Sequence, residues 1–288
     1  MESTKSIVLR APAKVNLSLR ILARREDGYH ELETLMTPLD LSDEVELSIQ
    51  GQEIVIESNV SGLPLGPGNL AWKAVEAFYR KLEIVPKTGV AIRLQKRIPV
   101  GGGLGGGSSN AAAVLRGLNI LHGLPLEPAE MLEIAASLGS DVPFFLEPNP
   151  AICRGRGEIL SPLSEYLPSW KFLLIFPPFG ISTPWAFSRW KSGKETRVSL
   201  DGIEFSNDLE PGVFSKHLVL PVLKKWLLSR EEVRHAQMSG SGSTIFAILQ
   251  DSCSTDSLVS CVAGEFGPGF KVVETRIPMV KSDETARG

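Results

Sequence analysis

The residues best suited to chemistry lie in one run, Pro99-Val-Gly-Gly-Gly-Leu-Gly-Gly-Gly-Ser-Ser109, with six glycines in positions 101–107. Glycine lacks a Cβ, so such a backbone turns through positive φ and brings its N–H groups against a ligand. The alanine-rich stretch 111–121 then reads as a helix, opened by Ser108, Ser109 or Asn110 as its N-cap. Helix starts carry unpaired N–H groups and a partial positive charge, which suits an anion. The run therefore points to a phosphate cradle. It is not a Walker loop, because no lysine follows the glycines. A dinucleotide fingerprint fits poorly too, since Pro99 cuts the preceding strand short. A floppy linker would not run straight into a good helix.

Other candidate residues are ambivalent when read singly. Lys14 sits mid-strand, where most lysines are simply solvated, but Asn16 shares its face and the two project into one space. Tyr29 and His30 follow the Asp27-Gly28 turn. They are either surface residues or a ring and an imidazole that stack on and hydrogen-bond a nucleobase. Asp141 is either the N-cap of a short helical turn or an acceptor for a substrate hydroxyl that attacks phosphorus. Ser239-Gly-Ser-Gly-Ser243 is either a plain turn or a second loop lining the far side of a nucleotide cleft.

The elements that must position these residues follow from periodicity. Residues 6–12 and 13–22 read as two strands, the second alternating Val15, Leu17 and Leu19 against Lys14, Asn16 and Ser18. Further strands are expected at 43–49, 53–57 and 89–96. Asn69 can cap a helix over 70–82, and a helix near 128–138 leads to Asp141 and Pro143. Residues 151–158 read as turn-rich. Proline density rises after Pro162, which places a domain boundary near residue 160. The second half reads strand 170–176, helix 185–190, helix 221–228, strand 244–249, helix 254–265 and strand 271–276. This is an α+β order with antiparallel pairing.

A chain of 288 residues exceeds the usual single domain of about 100–200, so two domains, 1–160 and 161–288, are expected. Net charge −3 and a pI near 5.9 leave no basic field for nucleic acid. Cys153, Cys253 and Cys261 are scattered, as in a reducing compartment, and neither they nor the dispersed histidines have zinc spacing. No signal-peptide pattern and no membrane-length apolar run is present, so a cytoplasmic protein without a membrane partner is expected. Residues 281–288 read as a solvated tail.

Together these pieces resemble the two-domain small-molecule kinase superfamily of galactokinase, homoserine kinase, mevalonate kinase and phosphomevalonate kinase. Ala11-Pro-Ala-Lys14-Val-Asn16, the glycine run and Met238-Ser-Gly-Ser-Gly-Ser243 look like its three motifs. Within it the chain is most similar to the 4-diphosphocytidyl-2-C-methyl-D-erythritol kinases. That likeness is carried by Pro12-Ala-Lys-Val-Asn-Leu17, Asp27-Gly-Tyr-His-Glu31, Gly102–Ala112, Leu138-Gly-Ser-Asp-Val-Pro-Phe-Phe145 and Asn207-Asp-Leu-Glu210. Relatives more often have Gly-Ala-Asp where this chain has Gly139-Ser140-Asp141.

The resemblance implies an ATP-dependent kinase for a cytidyl-bearing alcohol of the non-mevalonate isoprenoid route, with its active site in the interdomain cleft. Asp141 would take or orient the proton of the C2 hydroxyl, and Lys14 would lie beside it and the γ-phosphate. The ATP phosphates would meet Pro99, Val100, Gly101, Gly102, Gly103, Leu104, Gly105, Gly106, Gly107, Ser108 and Ser109. Tyr29 and Phe187 would sandwich the cytosine while His30 reads its edge. Asn16 and Thr183 would line the substrate side, and Asn69 and Lys96 either that side or the nucleotide side. Mg²⁺ would bridge the phosphates, with Ser109 a candidate hydroxyl ligand. The partners implied are ATP and the small cytidyl substrate, for a monomer or homodimer. The rival readings are a homoserine or mevalonate kinase, whose substrates have no base to stack on Tyr29 and His30, and a non-catalytic nucleotide sensor.

Overall fold

The computed structural model describes residues 5–85, 88–164, 166–193, 197–251 and 254–278. Cys253 and the tail 281–288 lie outside the described residues. In chain order the first half contains β1 (Ser6–Arg24), β2 (His30–Ile49), β3 (Ile54–Ser58), α1 (Leu70–Lys81), β4 (Val90–Gln95), α2 (Gly106–Leu121), α3 (Pro128–Leu138), β5 (Ala151–Gly155) and β6 (Ile159–Pro162). After these come β7 (Lys171–Phe176), α4 (Thr183–Ser188), β8 (Val198–Leu200), β9 (Ile203–Asn207), α5 (Glu210–Phe214) and α6 (Val219–Leu228). The second half closes with β10 (Val233–Met238), β11 (Ile245–Leu249), α7 (Asp256–Phe266) and β12 (Lys271–Arg276).

The long hairpin β1–β2 is the spine of an eight-stranded sheet ordered β3-β4-β2-β1-β9-β8, with β5 and β6 paired on beyond β2. A second, four-stranded antiparallel sheet runs β10-β11-β7-β12. Apolar side chains form three clusters. One lies between the first sheet and α1–α3, with Leu9, Ala11, Phe78, Val114 and Leu118. A second joins the other sheet to the later helices, with Leu173, Ile175, Leu223 and Leu227. The third fills the space between the sheets, where Val15, Leu17 and Leu39 meet Phe172, Leu174 and Phe246. β7 is therefore covered on both faces, even residues toward one cluster and odd residues toward the other.

Residues 6–24 form one strand rather than the expected two, because irregularities absorb Pro12 instead of ending the strand. The register shifts between Pro12 and Lys14, and the Lys14 N–H leaves the ladder to bond the Leu104 carbonyl at 3.0 Å. That bulge reverses the facing of the strand. Odd residues Leu9 and Ala11 point to the helical layer, whereas odd residues Ala13, Val15 and Leu17 point to the second sheet. Lys14 and Asn16 are thereby turned away from the second sheet.

Other expectations also change. Residues 30–42 belong to β2, and the stretch read as turn-rich, 151–158, carries β5, which pairs with β2 from Leu32 to Met36. Beyond residue 160, β9 returns to the first sheet and pairs in parallel with β1 at Ser18 and Leu19. Parallel pairing between residues so distant leaves no local trace in sequence. Asn69 does cap α1: its Oδ1 accepts the Ala71 N–H at 2.9 Å.

Candidate functional site

The glycine run forms a tight loop with Gly101, Gly103 and Gly105 at φ +75°, +78° and +71°. Gly105 is itself the N-cap of α2, so the helix starts at Gly106 and not after Ser108, Ser109 or Asn110. A left-handed glycine turns the chain into the helix with no side-chain cap. The Ser109 N–H already bonds the Gly105 carbonyl at 2.9 Å. The N–H groups left without an intrahelical acceptor are those of Gly106, Gly107 and Ser108. Between the glycines, Leu104 is buried and pins the loop to the intersheet core, a burial that contributes roughly 1.5–3 kcal/mol.

A second loop, Ser239–Ser243, packs back to back with the first. The Thr244 N–H donates to the Gly102 carbonyl at 3.3 Å, and Ser239 Oγ to the Gly103 carbonyl at 3.3 Å. Asn207, at the end of β9, holds this second loop by donating from Nδ2 to the carbonyls of Met238 and Gly240 at 2.7 and 2.8 Å. Asp208 accepts the Ile21 N–H at 2.7 Å. The Asn207–Glu210 segment thus ties the second loop to β1, the strand that carries Lys14.

These loops border a cavity of about 1000 Å³. At its centre Lys14 Nζ donates to Asn16 Oδ1 at 2.7 Å and lies 3.4 Å from Asp141 Oδ2. Lys14 is buried, whereas Asp141 keeps about a third of its side chain open, 35%. Asn16 is held in turn by Thr34, 2.8 Å away. Asp141 precedes the short helical turn Pro143–Phe145 but gives it no capping hydrogen bond, so the helix-cap alternative has no support. Cys153 is buried nearby. Burial first, and the Asp141 charge second, push its thiol up to about 12, while Lys14 pulls the other way.

One end of the cavity is aromatic. Phe187 lies 5.3 Å from the His30 ring at 32°, and Trp190 meets His30 edge-on at 5.7 Å. Burial first, then the Arg24 charge, holds the His30 imidazole below its ordinary value and so favours the neutral ring. Tyr29 is about half exposed, with the Arg156 guanidinium 4.9 Å from its ring centre. Thr183 Oγ1 lies 3.0 Å from Ser241 Oγ. The wall also includes Leu63, Asn69, Leu70, Lys96 and Ser108. The Asn69 carboxamide donates to the Pro64 carbonyl while it caps α1, which fixes its orientation.

Of the residues given a catalytic or binding role from sequence, all but one border this cavity, and of the second loop Gly240 and Ser241 do. Ser109 does not: its hydroxyl is buried without a partner inside the helix, and its N–H is taken. Sequence reasoning missed Arg24, Arg156 and Trp190. Trp190 stands three residues after Phe187, a helical spacing that could have paired them, and Arg156 sits in a Gly-x-Gly turn. Among the described residues no group of three or more His, Cys, Asp or Glu forms a metal cluster, and no helix is long and apolar enough to cross a membrane.

Comparison with known proteins shows what the whole chain resembles. Residues 69–147 match the family described as GHMP kinases N terminal domain, and 198–266 the family GHMP kinases C terminal. The chain is 43% identical over 287 residues to a 4-diphosphocytidyl-2-C-methyl-D-erythritol kinase of Methylacidiphilum infernorum, covering 95% of this chain and 99% of that one. It is 41% identical to the enzyme of the same name from Geobacter sp. strain M21, covering 86% and 91%. A crystal structure of 4-(cytidine 5'-diphospho)-2C-methyl-D-erythritol kinase superposes with TM-score 0.75 at 32% identity, covering 94% and 98%. Homoserine kinase from Cytophaga hutchinsonii shares the fold, with TM-score 0.70 at 20% identity and 96% of each chain covered. The two loops, the hairpin that carries Lys14 and this run of likeness over nearly the whole chain lead to one statement: the chain belongs to the GHMP kinase family, among the 4-diphosphocytidyl-2-C-methyl-D-erythritol kinases.

Proposed function

We propose that the chain transfers the γ-phosphoryl group of ATP to the C2 hydroxyl of 4-diphosphocytidyl-2-C-methyl-D-erythritol, a step toward isoprenoid precursors, and that the cavity described above is where it happens. The observation that carries this is the Lys14–Asp141 pair, 3.4 Å apart, in one cavity with the unpaired N–H groups opening α2. ATP is the phosphoryl donor in this family.

The reaction divides among few groups. Asp141 accepts the proton of the attacking hydroxyl, the hydroxyl oxygen bonds to the γ-phosphorus, and the bond to the β–γ bridging oxygen breaks to release ADP. The N–H groups of Gly106, Gly107 and Ser108, with the partial positive charge of the helix start, hold the phosphate oxygens. Lys14, fixed by Asn16, stabilises the charge on the group in flight. The aromatic end takes the cytosine, with Tyr29 and Phe187 as stacking faces and neutral His30 bonding the base edge. Asn16 and Thr183 belong to the same substrate side.

A Mg²⁺ ion bound through phosphates needs only one or two protein oxygens. The Ser108 hydroxyl borders the cavity and fits that demand, while the buried Ser109 hydroxyl does not. Such an ion would supply neutralisation of the phosphate charge. A division near residue 160 into a phosphate-holding half and a second half belongs to the same reading. Separate apolar clusters support it, although β8 and β9 cross back. Work in the cytoplasm, as a monomer or homodimer, belongs to the same proposal.

ADP release measured with three alcohols tests the proposal. Turnover is expected with the cytidyl alcohol alone. Turnover with homoserine or mevalonate would move the chain to a different kinase, and ATP binding without any turnover would make it a sensor.

A further inference from the structure

Behind the glycine loop, away from the cavity, lies a carboxylate with no exposed surface. Asp43 Oδ1 accepts the backbone N–H groups of Arg97 and Ile98 at 2.7 and 2.8 Å. Its Oδ2 accepts from Asn110 Nδ2 at 3.0 Å and from Lys96 Nζ. Lys96 Nζ also donates to Asn110 Oδ1 at 2.9 Å. Both charged side chains are at least nine-tenths buried, 4% exposed for Lys96 and 0% for Asp43. Yet Lys96 borders the cavity, and its Nζ lies 3.3 Å from the point a Cβ on Gly106 would occupy. The ammonium therefore sits beside the first residue of α2, whose N–H has no intrahelical acceptor. Two of its three protons are engaged.

As a stabilising device this cluster is poor, because buried ion pairs gain little over well-packed apolar residues. As a positioning device it is complete. One carboxylate holds the ammonium, the second turn of α2 through Asn110, and the backbone at Arg97 and Ile98 just before Pro99.

We infer that Asp43 is a positioning residue for the nucleotide: it fixes the Lys96 ammonium beside the N-terminus of α2, so that cation and helix start face the same phosphate oxygens. This rests on the proposal that the glycine loop receives a nucleotide, and it assigns Lys96 to the nucleotide rather than to the alcohol.

The test titrates a non-hydrolysable ATP analogue into the full chain and measures KM for both substrates, using Asp43→Asn, Lys96→Met and the double variant. Each single change is expected to weaken the analogue about tenfold or more, as for loss of one charge-assisted hydrogen bond. The double is expected to be no weaker than the worse single, with KM for the alcohol changed by less than about twofold. Losses that multiply in the double, an unchanged analogue Kd in Asp43→Asn, or a rise confined to the alcohol KM would overturn the inference. If Asp43→Asn does not fold, Asn110→Ala takes its place, since it frees one bond to the ammonium and keeps the carboxylate. Weaker analogue binding that disappears in the Lys96→Met background supports the inference, and unchanged binding overturns it. A wild-type chain that does not bind the analogue sinks the nucleotide reading itself. A wild type that binds, beside a variant that binds equally, sinks only the role of Asp43.

Discussion

Gly103→Ala tests whether the two glycine loops are locked together. Gly103 has φ +78°, where an L side chain costs about 1–2 kcal/mol. A Cβ there would lie 2.6 Å from the Ser239 carbonyl oxygen and 2.8 Å from that of Gly242. Both are backbone atoms of the second loop and cannot rotate aside, so that loop must shift, at about 1–3 kcal/mol for overpacking of this kind. The expected loss is therefore about 2–5 kcal/mol. Gly107→Ala is the internal control. Gly107 is helical, and its added Cβ meets only Leu70 Cδ1 at 3.8 Å, so stability should stay level or rise by up to about 1 kcal/mol. Urea unfolding followed by circular dichroism measures both, with the denaturant slope checked for constancy. Turnover should fall in Gly103→Ala as well, because Gly240, in the displaced loop, abuts the Lys14 ammonium. A Gly103→Ala variant within about 1 kcal/mol of wild type, or a Gly107→Ala variant equally destabilised, would refute the reasoning.

Asp141→Asn should lower kcat by roughly 10²–10⁴ while ATP-analogue affinity stays within about twofold, and normal kcat would remove Asp141 from the chemistry. Tyr29→Ala should weaken directly measured binding of the cytidyl substrate by about 1–3 kcal/mol without touching ATP, and an unchanged Kd would end the stacking role. His235 is buried against Phe205, and desolvation lowers it to about 4, so the fold favours the neutral ring. That preference stabilises the protein above the ordinary histidine value and is lost as pH falls toward 4, a change of roughly 3 kcal/mol. Urea unfolding at pH 7 and pH 4.5 should show a smaller acid loss in His235→Leu than in wild type, and equal losses would contradict the assignment.

The parts legible in sequence are those with local causes. The glycine run announces itself because only glycine turns through φ +71° to +78° three times in five residues. Asn69 before an amphipathic stretch marks α1, and the apolar runs of β7 and β11 mark buried strands. Where a local sign was ambiguous, distant partners decided. Ser108, Ser109 and Asn110 all look like helix caps, but the cap is Gly105, and Asn110 instead binds Asp43 and Lys96 from two other elements. Arg156 and Trp190 reach the cavity only because β5 pairs with β2 and α4 folds back over His30.

Residue types and their spacing were enough to specify a phosphate-holding loop, and the resemblance carried by the motifs supplied the family and the roles it implies for Lys14 and Asp141. They could not show that the two charges meet. A bulge at Pro12 reverses β1, so that Lys14 leaves the intersheet core and comes within 3.4 Å of Asp141, 127 residues further along the chain. Facing in a strand depends on register, and register depends on partners that only the assembled sheet supplies.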